Sequence, residues 1–228
     1  MNRISMVSAA IVGALGVAAP AAAAPAPSGG LSAGDVLVRL RAIIVAPQDR
    51  SSGISPTFPG EKVKVTDSFA PEIDFTYMAT DNLGFELIAA TTKHKAKGKT
   101  GTTGSIGKLA STWVLPPTLT AQWHFNPKGA VRPYVGAGVN YTIFYSEKAS
   151  DGLETAVGDT HVKMSNSFGP AVQAGVDVDI APNVFLNFDV KWIDIDTKAK
   201  LSTTAIGTQT VKVHIDPIVA GIGVGMKF

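Results

Sequence analysis

Charged residues recur two positions apart in stretches that are otherwise apolar: Arg39 and Arg41, Glu72 and Asp74, Asp177 and Asp179, Asp189 and Lys191, with Glu86 alone in a fifth. Residues two apart share a face only in an extended strand. Each stretch therefore carries its charges on one side and its apolar residues on the other. Charges turned toward a common low-dielectric interior must find partners, so these nine residues are expected to form cross-strand ion pairs that fill the interior and hold register. A direct part in selecting a solute is the other role open to them. His94, His161 and His214 could be drawn into a site with Asp151, Asp159 and Asp216, but three residues on three connecting segments lack any metal-ligand spacing. No metal or cofactor is expected. Nor is catalysis, because no nucleophile or activated water stands beside an oriented base. His124 is read as a polar residue near one end of its strand.

The elements that would position these charges are strands. Val135, Ala137, Val139, Tyr141, Ile143 and Tyr145 alternate with Gly136, Gly138, Asn140, Thr142 and Phe144. The same period of two runs through Val172 to Ile180, Leu186 to Trp192 and Ile218 to Phe228. It is less regular in Val36 to Ala46, Pro71 to Met78, Leu83 to Thr92 and Thr118 to Phe125. These segments predict eight strands.

The connections alternate in length. Short turns fall at Thr80-Asp81-Asn82, Asn126-Pro127-Lys128-Gly129 and Ala181-Pro182-Asn183, all residues suited to tight reversals. Long polar loops run from Gln48 to Ser68, Lys93 to Ser111, Ser146 to Asn166 and Asp196 to about Gln209. Short turns at one end and long loops at the other are the layout of an outer-membrane barrel.

Alternation alone does not say which face meets solvent. Lipid outside is favoured by the loop asymmetry, by aromatics near strand ends on the apolar face (Tyr77, Phe125, Tyr145, Phe228) and by an export leader. Glycines on the other face, Gly136, Gly138, Gly221, Gly223 and Gly225, suit a crowded narrow interior. The leader has a charge at Arg3, an apolar stretch from Ile4 to about Ala18 and a small-residue run at Ala21 to Ala24. It divides the chain into a signal peptide at 1–23, a periplasmic segment at 24–34 and a barrel at 35–228. The expected fold is all-β: an eight-stranded antiparallel transmembrane β-barrel with short periplasmic turns and long extracellular loops. It would sit as a multi-pass protein in the outer membrane of a Gram-negative cell.

Composition narrows the function classes. Cysteine is absent, so disulfides, thiolate metal sites and thiol nucleophiles are excluded. Without Arg3 the mature chain carries 19 basic against 18 acidic residues, a balance that gives no support for binding nucleic acid. Outer-membrane lipids are the expected surroundings. Lys93, Lys95, Lys97 and Lys99, near the outer rim, would meet lipopolysaccharide phosphates, although a solvated loop accounts for them equally well.

Several stretches resemble the OmpW family: Tyr77-Met78-Ala79-Thr80-Asp81-Asn82 running into Leu83-Gly84-Phe85-Glu86-Leu87, Pro116-Pro117-Thr118-Leu119, and Arg132-Pro133-Tyr134 through Thr142. Ile193-Asp194-Ile195-Asp196, Asp216-Pro217 and the terminal Phe add to them. The resemblance implies a porin-like channel for uptake of small hydrophobic molecules from the outer surface, with exit into the periplasm or sideways through the wall. It places an apolar constriction at Ile88, on the inward face between Glu86 and Ala90. Lys191, also inward, stands where some relatives would carry a bulky apolar partner, which counts against a fully hydrophobic gate. The competing reading is a filled, non-conducting barrel that acts structurally or through its extracellular loops.

The C-terminal Ile222, Val224, Met226 and Phe228 form the alternating pattern, closed by an aromatic, that the outer-membrane assembly machinery reads. Deleting Phe228 should lower the amount of protein in the outer membrane and raise its degradation in the periplasm, as quantified by cell fractionation and immunoblotting. Unchanged insertion would show the terminal aromatic to be incidental.

Overall fold

The structure is a computed structural model and describes residues 30–228. The expected leader at 1–23, and the periplasmic segment up to residue 29, lie outside the described residues. Eight strands form the wall: β1 (Val36–Ala46), β2 (Ser68–Met78), β3 (Leu83–Ala90), β4 (Thr118–His124), β5 (Val131–Ala149), β6 (Ser167–Ala181), β7 (Val184–Ile193) and β8 (Ile218–Lys227). Each pairs antiparallel with the next in sequence, and β8 returns to β1 in a register running from Leu37↔Lys227 to Ala46↔Ile218. The ring is closed. Every strand has two neighbours, so the wall leaves no open edge and its backbone polar groups can be satisfied without water.

The inside-out distribution of side chains identifies the solvent. Leu40, Phe75, Leu87, Leu119, Phe188 and Ile222 project outward and exposed, while Arg39, Asp74, Glu86 and Asp177 between them are buried. A wall with this polarity is stable where hydrocarbon covers the apolar face. The turns at the other end are as tight as their residues suggest: Ala79 and Thr80 donate to the carbonyl of Leu83, and Asn183 takes a positive φ of 61° in the turn between β6 and β7. Phe228 exchanges backbone hydrogen bonds with Val36 at 2.9 and 3.0 Å, and its ring points away from the barrel.

The four long connections differ from the polar loops expected. Residues Thr92–Gly98 and Lys108–Leu115 form a hairpin that rises above β3 and β4 and pairs with the upper part of β5 and with Val63–Val65. Asp196–Thr203 and Gly207–His214 form a second hairpin above β7 and β8, flanked by Thr160–Met164 and Arg50–Ser51. Two short helices, α1 (Gly101–Ile106) and α2 (Asp151–Val157), lie at the rim. The reason lies in the alternation. Val63, Val162, Ala199, Val211 and Val213 are buried, and each is followed by a lysine or another exposed polar residue facing out, so half-apolar strands have the average composition of a polar loop.

Inside the ring, strands approach too closely for side chains at some positions. A Cβ on Gly138 would lie 1.9 Å from the carbonyl oxygen of Leu119, and one on Gly223 2.1 Å from that of Leu40. Gly138→Val should therefore cost about 1–3 kcal/mol through overpacking. A folded fraction that survives heating as well as the native chain does, measured by the mobility shift between unheated and boiled samples, would contradict this.

Candidate functional site: an apolar chamber on a charged floor

Side chains turned inward sort into three layers along the barrel axis. At the end with the short turns, Leu31, Leu37, Met78 and Phe185 form a small buried cluster. Leu31 belongs to a segment tied down by Leu31 N–H to the carbonyl of Pro127 and by the Lys128 ammonium to the carbonyl of Leu31, both at 2.7 Å. Arg132 pairs with Asp179 at 2.6 Å beside this cluster.

The middle layer holds the charges. The alternation in β1 sends Arg39 and Arg41 inward, directly opposite Asp74 and Glu72 of β2. Arg39 reaches further, gripping Asp177 of β6 with two nitrogens at 2.9 and 3.2 Å and meeting Glu86 of β3 at 3.2 Å. Its guanidinium lies 5.4 Å from the centre of the Tyr134 ring and 5.5 Å from that of Phe185. Arg41 contacts Glu72 at 3.0 Å, Asp74 at 2.7 Å, Glu86 at 3.4 Å and Asp189 at 3.5 Å.

Neutral groups complete the layer. Glu86 accepts from Gln122 at 2.7 Å and Gln173 at 2.8 Å, and Tyr134 donates to Asp189 at 2.9 Å. Asn187 bridges the Tyr134 hydroxyl and Asp177. Lys191 is hydrogen-bonded to Glu72 on the upper side of the layer. Ion pairs this deep persist because the network repays much of the desolvation that an isolated charge would suffer. The count is uneven: Glu72, Asp74, Glu86, Asp177 and Asp189 face only Arg39, Arg41 and Lys191.

Above the layer lies an apolar chamber of about 280 Å³. Ile43, Val45, Val114, Phe144, Ile193 and Val219 line its lower wall, and apolar residues of the rim hairpins and helices line the upper. Ile88, opposite Thr118 on β4 and Asp74 on β2, faces it from the level of the floor, which Glu72 and Lys191 share. The ladder is interrupted at two places at this height: between β7 and β8, where the Ile193 N–H to the carbonyl of Pro217 and the Ile215 N–H to the carbonyl of Ile195 bridge the break, and between β3 and β4. The β3–β4 pairing ends at Ile88↔Thr118 and resumes in the rim hairpin at Thr92↔Val114. Pro116 and Pro117 fall in the gap and have no N–H to donate. Asn140 donates to both of their carbonyls, at 3.1 and 3.2 Å, and Pro116 lines the chamber.

Eight of the nine charges assigned to the interior meet in one layer. Asp179 is the exception: still in regular register opposite Phe185 and two residues nearer the short turns than Asp177, it pairs with Arg132 below the layer. Arg132 and Tyr134 are buried partners that sequence reasoning missed, although the alternation of β5 carries them onto the same face as Gly136.

The histidines are dispersed. His94 is buried against the carbonyl of Thr66 and the hydroxyl of Thr92, whereas His161 is exposed. His214 touches Asp196 at the rim, where Asp194, Asp196 and Asp216 come within 4.8 Å of one another. Burial, reinforced by the charges of Asp196 and Asp216, raises the Asp194 carboxyl above the usual range. Lys93 and Lys95 lie exposed on the outer face of their strand, with the Lys93 ammonium 5.6 Å from the centre of the Trp113 ring.

Comparison with known proteins agrees with this architecture. The sequence profile of the OmpW family matches residues 32–228. Outer membrane protein W of Escherichia coli K12 is 38% identical over 199 residues, covering 86% of this chain and 89% of that protein. The protein of the same name from Vibrio cholerae is 36% identical over 215 residues, covering 93% and 97% respectively. The crystal structure of the outer membrane protein OprG from Pseudomonas aeruginosa superimposes with a TM-score of 0.82 at 34% identity, covering 87% of this chain and 98% of that one. With its closed eight-stranded wall, lipid-facing apolar surface and match along nearly all of the described residues, this chain is an outer-membrane β-barrel and belongs to the OmpW family.

Proposed function

We propose that the barrel takes up small hydrophobic molecules at the outer surface, holds them in the chamber and releases them sideways through its wall. The observation that carries this reading is the chamber resting on a sealed floor. Arg39, Asp74, Glu86, Gln122, Asp177 and Asn187, contributed by strands all around the ring, have no surface open to water. A water-filled path would leave at least part of such a layer accessible. A solute that enters from the rim therefore has a floor below it and an interrupted wall beside it, at Pro116 and Pro117.

Energetics favour the same route. An apolar solute crossing the layer would have to part ion pairs in a low-dielectric interior, each costing several kcal/mol to break, roughly 3–5. Leaving through the wall moves it from an apolar chamber into hydrocarbon. Around this path, the exposed lysines of the rim support contact with lipopolysaccharide phosphates, and the terminal Phe228 supports handling by the assembly machinery.

Ile88 lines the chamber and is the last paired residue of β3 before the wall gap, so it offers a direct test. Ile88→Trp should fill the floor and cut uptake of a hydrophobic solute about tenfold, while Ile88→Ala should leave it equal or faster. Uptake is measured in cells carrying each variant at matched outer-membrane levels. In planar bilayers the native protein should show no steady ion conductance. A stable open conductance would move the exit to the periplasmic mouth, and uptake insensitive to Ile88→Trp would remove the chamber from the path.

A further inference from the structure

The chamber is mainly apolar, polar lining groups above its floor such as His94, Thr103 and Gln209 are already hydrogen-bonded within the protein, and the floor has a free acceptor. Glu72 Oε1 takes both of its cationic neighbours, the Arg41 guanidinium at 3.0 Å and the Lys191 ammonium. No described residue donates to Oε2, although Glu72 is only 3% exposed and lines the chamber. A carboxylate oxygen held at the base of a greasy cavity without a donor is a costly arrangement unless the occupant supplies one.

We infer that the chamber is built for an aliphatic molecule with a single hydroxyl head, the head donating to Glu72 Oε2 and the chain lying against the apolar walls. This rests on the uptake reading above and adds the chemistry of the solute. Size sets the length of the chain. An engineered cavity of about 150 Å³ accepts benzene, so a chamber of about 280 Å³ accommodates a medium-length chain.

Charge sets the head. The layer beneath carries five carboxylates against three cations, and both cations near the floor are already engaged by carboxylates. A carboxylate head would add negative charge where there is an excess. An ammonium head would have to shed its full hydration shell, with one carboxylate oxygen to replace it and its remaining N–H donors unsatisfied beside Lys191. A hydroxyl supplies the missing donor without either cost.

The test uses the full chain in lipid nanodiscs, with the methyl resonances of Ile43, Ile88 and Ile193 followed by NMR during titration with octane, 1-octanol or octanoate at neutral pH. The ligands are compared at equal mole fraction in the lipid. 1-Octanol should saturate the shifts at about one tenth of the octane level, the worth of one hydrogen bond to a charged acceptor, and octanoate should be weakest. Glu72→Met should reduce the preference for octanol over octane to less than threefold. Because that change leaves Lys191 without its closest partner, Glu72→Met/Lys191→Met is measured alongside it, with folding checked by heat-dependent mobility.

Equal saturation by octanol and octane in the native chain overturns the inference, as does octanoate binding best or a preference that persists in the double variant. If octane alone binds well and Ile88→Trp blocks it, the inference falls and the uptake reading stands. If none of the three shifts the chamber methyls, both fall.

Discussion

An eight-stranded ring is narrow, and whatever points into it must satisfy itself there. This constraint orders the rest of the protein. Arg39 and Arg41 stand two residues apart on one strand and present ten donors to a space with no water, so carboxylates and an amide from four other strands, β2, β3, β6 and β7, converge on them. The contacts run across the barrel as well as between neighbours, as Arg39 shows in reaching Asp177. They therefore hold opposite walls together. Glycines such as Gly138 and Gly223 are the counterpart, placed where a neighbouring backbone leaves no room for a side chain.

The layer divides the lumen into two unequal spaces. Below it, the Leu31 segment and the Arg132–Asp179 pair fill the end with the short turns. Above it, the inward-facing residues of the wall strands turn from charged to aliphatic, from Arg41 to Ile43 and Val45 on β1 and from Lys191 to Ile193 on β7, while outward neighbours such as Ile44 and Phe69 stay apolar and exposed. One barrel thus has a lumen that is polar at mid-height and apolar near the surface. A hydrophobic solute meets a matching environment only in the upper space, where the ladder is interrupted at Pro116 and Pro117, whose carbonyls accept from the Asn140 side chain and, at Pro117, from the Tyr141 N–H.

The rim owes its order to the same alternation. Buried Val162, Val211 and Val213 line the chamber, while outward lysines such as Lys163, Lys200 and Lys212 keep the ribbons soluble above the membrane. Register sets Lys163 directly against Lys200 and Lys198 against Lys212, pairings that repel one another in isolation and that anions of the outer surface would relieve.

The amino-acid sequence by itself determined the strands, their number, the two faces of the wall and the inward set of charges, because a period of two is a local property that survives without any knowledge of neighbours. It also placed Ile88 and Lys191 on the inner face. Tertiary structure decided what a single strand does not encode. Which carboxylate meets which arginine depends on ring closure and on stagger between strands, which set Asp177 at the level of Arg39 and Asp179 at that of Arg132. The rim hairpins were hidden because lysines alternating with valines average to a loop. The chamber is the clearest case: its walls come from segments more than 150 residues apart, and a partly open cavity above a sealed floor exists only once the ring has closed.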